Sequence, residues 1–168
     1  MSKNNYIILT AMEKECCNIK LPTVEKLITG IGGCNTVQTL FKNQDKLEDK
    51  IIINIGYAGS TQYELGSVVS VNKVLKYDKS NVIKFPEFSM SAYSFVENAC
   101  YTADNFIEAN GTYVPLVDME LYYIRMLYPN VYSFKIVSDN LDEKTYNKFN
   151  PEKSWKELNT LLKEFCYG

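Results

Sequence analysis

The 168-residue chain has no histidine, one arginine (Arg125) and one tryptophan (Trp155). Without histidine there is no Ser–His or Cys–His nucleophile, no imidazole base and no His-containing metal site. Acid–base chemistry falls to carboxylates, lysines, tyrosines or thiols. With a net charge of −2 and one arginine among 18 cationic residues, there is no basic stripe for a phosphate backbone, and nucleic acid is not an expected partner. No apolar run reaches the length of a membrane span, and the N-terminal "YIILTAM" lacks the flanks of a signal peptide. A cytoplasmic protein without membrane contact is expected. The five cysteines are odd in number and lack a CxxC spacing, which fits reduced thiols. Neither a metal nor a cofactor is expected.

What is present is enough for one domain over residues 1–168, since 46% of the residues are hydrophobic. Short β-branched runs ("YIIL", "KLITG", "KIIINIG", "SVVSVNKVL", "GTYVPLV", "YSFKIVSD") recur between polar, helix-compatible segments. Apolar residues at successive positions suit strands covered on both faces. The pattern predicts an α/β fold, a three-layer α/β/α arrangement around a mixed, largely parallel sheet. Helices are predicted at 11–18, 35–47, 118–128 and 152–166, the last opening at Pro151.

The polar oddities fall at predicted strand ends, where ligands bind in open α/β sheets. "AMEKE" brings Glu13 and Glu15, "TGIGGCNT" and "GYAGS" bring glycine turns, and "VDME" and "VSDN" bring Asp118, Glu120 and Asp139. Each has an ordinary reading. The glycines of "TGIGGCNT" serve either a ligand facing backbone N–H groups or a turn needing positive φ, with Asn35 or Thr36 capping the helix. Asp118 and Glu120 read as a helix cap and a first-turn charge, or as ligand-binding acids. Asp139 reads as an Asx turn, Phe106 and Ile107 as core, and Glu15 as a solvated helix residue.

The order of these motifs adds what none carries alone. "AMEKE", "TGIGGCN", "IINIGYAGS", "YTADNFI", "VDME" and "IVSDN", spread over residues 6–149, together resemble the nucleoside phosphorylase superfamily, and within it the methylthioadenosine/S-adenosylhomocysteine nucleosidases. The resemblance implies a purine nucleoside as small-molecule partner and a homodimer. It assigns Glu120 to the ribose hydroxyls, Met119 to packing on the sugar, Phe106 to stacking on the base and the Ile107 backbone to its edge. Ala58, Gly59 and Ser138 join the substrate-binding set. Asp139 matches the acid that protonates the leaving purine, and Glu15 the base that activates water.

That chemistry needs no histidine, because two carboxylates of opposite protonation suffice to break an N-glycosidic bond. The shortage of arginine points to water as nucleophile, since guanidinium forks suit phosphate. A phosphorylase using lysines and a silent nucleoside binder remain alternatives at this stage. The chain also departs from the family pattern. It lacks the usual hairpin before the glycine turn, is compressed between Asp78 and Cys100, and carries Tyr57 for a small residue and Lys135 for an arginine.

Overall fold

A computed structural model describes residues 5–79, 84–93, 98–108 and 113–168. Four parallel strands form the centre: β1 (Tyr6–Thr10) lies between β2 (Glu25–Ile28) and β3 (Ile51–Gly59), and β9 (Val131–Asp139) runs along the other side of β3. β4 (Val68–Val71) pairs antiparallel with β9. A second wing leaves the end of β3, where Gly59 meets β8 (Val117–Asp118), and continues parallel through β7 (Ala99–Thr102) to β5 (Lys73–Lys76), with β6 (Phe88–Ser89) antiparallel at the edge. These strands make one mixed, mostly parallel sheet.

The successive apolar residues of β1 and β3 split between the two faces, because side chains along a strand alternate. Ile7, Leu9 and Ile52 pack on one side with Leu40 of α2 (Gly33–Lys42) and Leu121 and Ile124 of α4 (Leu121–Leu127). Ile8, Ile53, Ile55 and Phe134 pack on the other with Trp155, Leu158 and Leu162 of α6 (Glu152–Tyr167). Helices therefore cover both faces, which is the three-layer arrangement the unbroken apolar runs called for. Three short helices complete the described chain: α1 (Glu13–Asn18), α3 (Gln44–Leu47) and α5 (Glu143–Lys148).

Several boundaries differ from the sequence reading. The run 67–75 is two strands, because Asn72 leaves the ladder: its N–H bonds the Asn98 carbonyl and its side chain accepts from the Asn98 N–H, handing the chain from β9 to β7. The helix predicted over 35–47 begins at Gly33 and breaks at Asn43, whose φ of −118° and ψ of 21° are not helical. Neither Asn35 nor Thr36 caps it; both side chains donate backwards, to the carbonyls of Ile31 and Gly32. The helix predicted over 118–128 starts three residues later, Asp118 being in β8. Of the predicted strand "GTYVPLV", Gly111 and Thr112 lie outside the described residues and only Val117 is in a strand; part of the segment between Asp78 and Cys100 also lies outside the described residues. The sequence reading does not include the strands β6 and β7 or the helix α5. The latter had a legible start: Asp142 accepts from the Thr145 N–H at 2.8 Å, an N-cap three residues before its donor.

Candidate active site

A cavity of about 480 Å³ opens at the carboxyl ends of β1, β3, β7 and β9. All nine residues to which the resemblance gives a role line it: Glu15, Ala58, Gly59, Phe106, Ile107, Met119, Glu120, Ser138 and Asp139. Three carboxylates from segments far apart in sequence thus share one space.

Glu15 is not the solvated helix residue its neighbours suggest; it is 1% exposed. The first turn of α1 holds it, since Oε2 accepts from the Met12 N–H at 2.9 Å, while Oε1 accepts from the Tyr57 N–H of β3 at 3.1 Å. Gly56 leaves the room this needs, because a Cβ there would lie 3.2 Å from Oε1. Burial raises the pKa of Glu15, and the two N–H donors and the Lys135 charge oppose that rise.

Glu120 reaches back to the glycine turn, where its Oε1 accepts from the Gly32 N–H at 2.8 Å. Gly30 and Gly32 have φ of 81° and 84°, the left-handed region that favours glycine, so the turn can aim that N–H at a carboxylate. Burial, followed by the nearby Asp118 charge, pushes the Glu120 carboxyl up to about 7. Its neighbour Asp118 has structural partners: Oδ2 accepts from the Leu121 N–H at 2.9 Å and from Lys135 Nζ at 2.7 Å, and Oδ1 from the Thr102 hydroxyl at 2.6 Å.

Asp139 ends β9 at a register shift. Ala58 pairs with Val137 and Gly59 with Asp139, so Ser138 is the extra residue of a bulge. The Ser138 hydroxyl donates to Oδ2 of Asp139 at 2.7 Å, and the Leu141 N–H to Oδ1 at 2.9 Å. Leu141 adopts φ of 61°, an uncommon conformation for a branched side chain, and its N–H faces the carboxylate as a result. A Cβ on Gly59 would come within 2.6 Å of Asp139 Oδ1 and 2.3 Å of Leu141 Cδ2. Burial raises the Asp139 pKa against the two hydrogen bonds.

Ile107 is buried, but Phe106 is 55% exposed at the cavity wall and is not a core residue. Met119 lies across from the glycine turn, 4.0 Å from a Cβ built on Gly32. Tyr57 also lines the cavity; its ring packs edge-on against Trp155 and Phe149, and its hydroxyl accepts from Trp155 Nε1 at 2.9 Å. Sequence reasoning missed the wall formed by Glu143, Tyr146 and Asn147 of α5, together with Met12 and Ile31. Arg125 is not part of the lining. Its Nε donates to the Ser89 carbonyl and its guanidinium lies over the Phe88 ring.

No family model matches the chain, and no curated protein matches its sequence. Solved structures do match its fold. A Helicobacter pylori 5′-methylthioadenosine/S-adenosyl homocysteine nucleosidase, complexed with a substituted pyrrolidin-3-ol, aligns over 98% of this chain and 100% of its own with a TM-score of 0.78 at 15% identity. Futalosine hydrolase of the same organism aligns over 96% and 98% with a TM-score of 0.74 at 15% identity. The S. pneumoniae 5′-methylthioadenosine/S-adenosylhomocysteine nucleosidase aligns over 94% and 96%, at 0.72 and 17%. The chain shares the fold of these three structures, two nucleosidases and a hydrolase.

Proposed function

We propose that this protein is a nucleosidase that hydrolyses the N-glycosidic bond of a purine nucleoside such as methylthioadenosine or S-adenosylhomocysteine. The observation that carries this reading is the convergence of Glu15, Glu120 and Asp139, each buried and hydrogen-bonded, on one cavity of nucleoside size. The fold shared with nucleosidases supports it.

In this reading Glu120 accepts the ribose hydroxyls, Met119 packs on the sugar, and Phe106 stacks on the base with the Ile107 backbone at its edge. Ala58, Gly59 and Ser138 complete the binding surface. Asp139 protonates the leaving purine. Its burial favours the protonated acid before reaction, and the Ser138 hydroxyl and Leu141 N–H stabilise the carboxylate left after the proton moves. Glu15 takes a proton from water as it attacks the sugar carbon. A raised pKa makes it a stronger base, and its two backbone donors fix its direction. Water supplies the hydroxyl that bonds to the anomeric carbon as the bond to the base nitrogen breaks; the products are free sugar and free purine.

The position of Arg125 favours hydrolysis over phosphorolysis, because the one guanidinium is bound to Ser89 and Phe88. Among the described residues lining the cavity there is no Lys or Arg to hold a phosphate. The purified protein is incubated with a nucleoside panel, with and without phosphate, and the products are separated chromatographically. Free sugar in both arms supports the reading; sugar 1-phosphate, or no product from any nucleoside, overturns it. The same reading includes a homodimer, which sedimentation equilibrium tests.

A further inference from the structure

Tyr123 does not line the cavity but contacts three segments that do: the start of α4, the glycine turn and the loop after β7. It lies on α4 three residues after Glu120, whose carbonyl accepts the Tyr123 N–H at 3.1 Å. Its ring closes on the glycine turn so tightly that a Cβ on Gly33 would lie 2.3 Å from it. Its hydroxyl donates to Asp104, at the head of the loop that presents Asn105, Phe106 and Ile107 to the cavity. Asp104 in turn holds Lys76 Nζ at 2.6 Å, and that ammonium lies 5.2 Å above the Tyr123 ring. The Lys76 side chain is only 5% exposed although Asp104 is 59% exposed, so the cation is committed to this cluster.

We propose that Tyr123 is a positioning residue that sets the spacing between the base wall at Phe106 and the ribose carboxylate of Glu120, acting through Asp104. The physical reason lies in what else holds the loop. Phe106 is more than half exposed, and residues 103–108 form no helix or strand, so backbone ladders do not fix the loop. The Ala103 N–H bonds the Asp118 carbonyl at 2.8 Å and anchors its start. The Asp104 side chain then ties the next residue to α4. A charge-assisted hydrogen bond is stronger than a neutral one, and Tyr123 delivers it from a ring already wedged against the turn that holds Glu120. Moving the loop would change how far apart the two ends of a nucleoside can be gripped.

The inference rests on the nucleosidase reading for its kinetic consequence, but the tie itself has a readout that needs no substrate. In Tyr123→Phe the ring stays and the hydroxyl goes. Amide hydrogen exchange of the ligand-free protein should then quicken across residues 103–108 by about 10-fold, the scale of one charge-assisted bond, with α4 and β9 unchanged. With nucleoside, KM should rise by about 10-fold while kcat stays within about 2-fold, the signature of lost uniform binding. Asp104→Ala, which also removes the Lys76 ion pair, should match or exceed both effects, Tyr123→Phe should add nothing on top of it, and Asp104→Asn, which keeps an acceptor for the hydroxyl, should bring KM back towards the parent. Unchanged exchange in Tyr123→Phe would overturn the tie. Quickened exchange with parental KM, or losses that add in the double variant, would overturn the positioning role. If the parent turns over no nucleoside, the nucleosidase reading fails on that result, and the exchange measurement still decides whether the tie exists.

Discussion

Lys135 Nζ lies 2.7 Å from Asp118 Oδ2, and both side chains are essentially closed to solvent. Desolvation pulls the Lys135 pKa down, but Asp118, Cys100 and Glu120 hold it above its ordinary value, so the ammonium is retained beside these groups. The pair accounts for the burial of Asp118, which Lys135 matches, while its neighbour Glu120 is held by the Gly32 N–H. Breaking such a pair from one side leaves a buried charge uncompensated. Lys135→Met is expected to lower unfolding free energy by about 3–5 kcal/mol, and a double change, Lys135→Met with Asp118→Leu, to recover most of it. Urea denaturation of the two single variants and the double variant measures this. If the double variant is as unstable as the sum of the single losses, the two residues are not a coupled pair.

Gly59 separates the role of the Asp139 position from that of its charge. Gly59→Ala places a methyl within 2.6 Å of Asp139 Oδ1 and 2.3 Å of Leu141, so the carboxylate must shift. Displacing a catalytic group by an ångström can cost on the order of 100-fold, and turnover should fall by that scale. Steady-state kinetics with thermal melts decides it. Parental kcat in a folded Gly59→Ala variant would mean that Asp139 needs no fixed position.

Nucleoside affinity should depend on pH through Glu120. Its folded-state pKa is raised from 4.5 to about 7, and the ionised carboxylate is the better acceptor for ribose hydroxyls. Affinity should therefore be low on the acid side and rise as pH passes through about 7. Ligand-free stability has the opposite sign. The unfolded chain releases this proton near 4.5 and the folded chain keeps it to about 7, so this group's contribution falls as pH rises between those values. Calorimetry across this range on the parent and on Glu120→Gln reads the first effect, and melts read the second. An affinity flat in pH, or equal for the two proteins, would leave Glu120 as a partner of the glycine turn alone.

Removing the proposed ribose acceptor outright is the coarser test of the same residue. Glu120→Ala deletes the carboxylate that the Gly32 N–H holds in place. Nucleoside binding should become undetectable by calorimetry, because the loss of charged hydrogen bonds to two hydroxyls removes about 3–6 kcal/mol. Affinity within about 2-fold of the parent would contradict the assignment.

Which parts of this site were legible in the sequence follows from the range of the interactions. The strands β1, β3 and β9 and helix α6 were readable because burial on both faces, or on one stripe, writes itself into consecutive residues. The glycine turn was readable because positive φ at Gly30 and Gly32 needs that residue type. The burial of Glu15 was not, because its partner is the Tyr57 N–H, 42 residues away, and local sequence shows only a charged helix. Lys135 likewise looked like a changed residue in a strand until Asp118 was placed against it. Strand β7 and the break at Asn72 depend on pairing across the sheet, and no periodicity in so short a run reports that. The motif order found the cavity because it carries information that folding physics alone does not put in neighbouring residues.

The most direct measurement is single-turnover release of purine by the parent, Asp139→Asn and Glu15→Gln, followed chromatographically at saturating enzyme without phosphate. Asn cannot deliver the proton and Gln cannot accept one from water, so each variant should fall by at least ~100-fold, the lower end for a lost general acid or base. Nucleoside binding should change far less. Because both groups act in one transition state, the double variant should lose less than the product of the two single losses. Folded single variants that release purine at the parental rate would contradict a mechanism built on these two carboxylates.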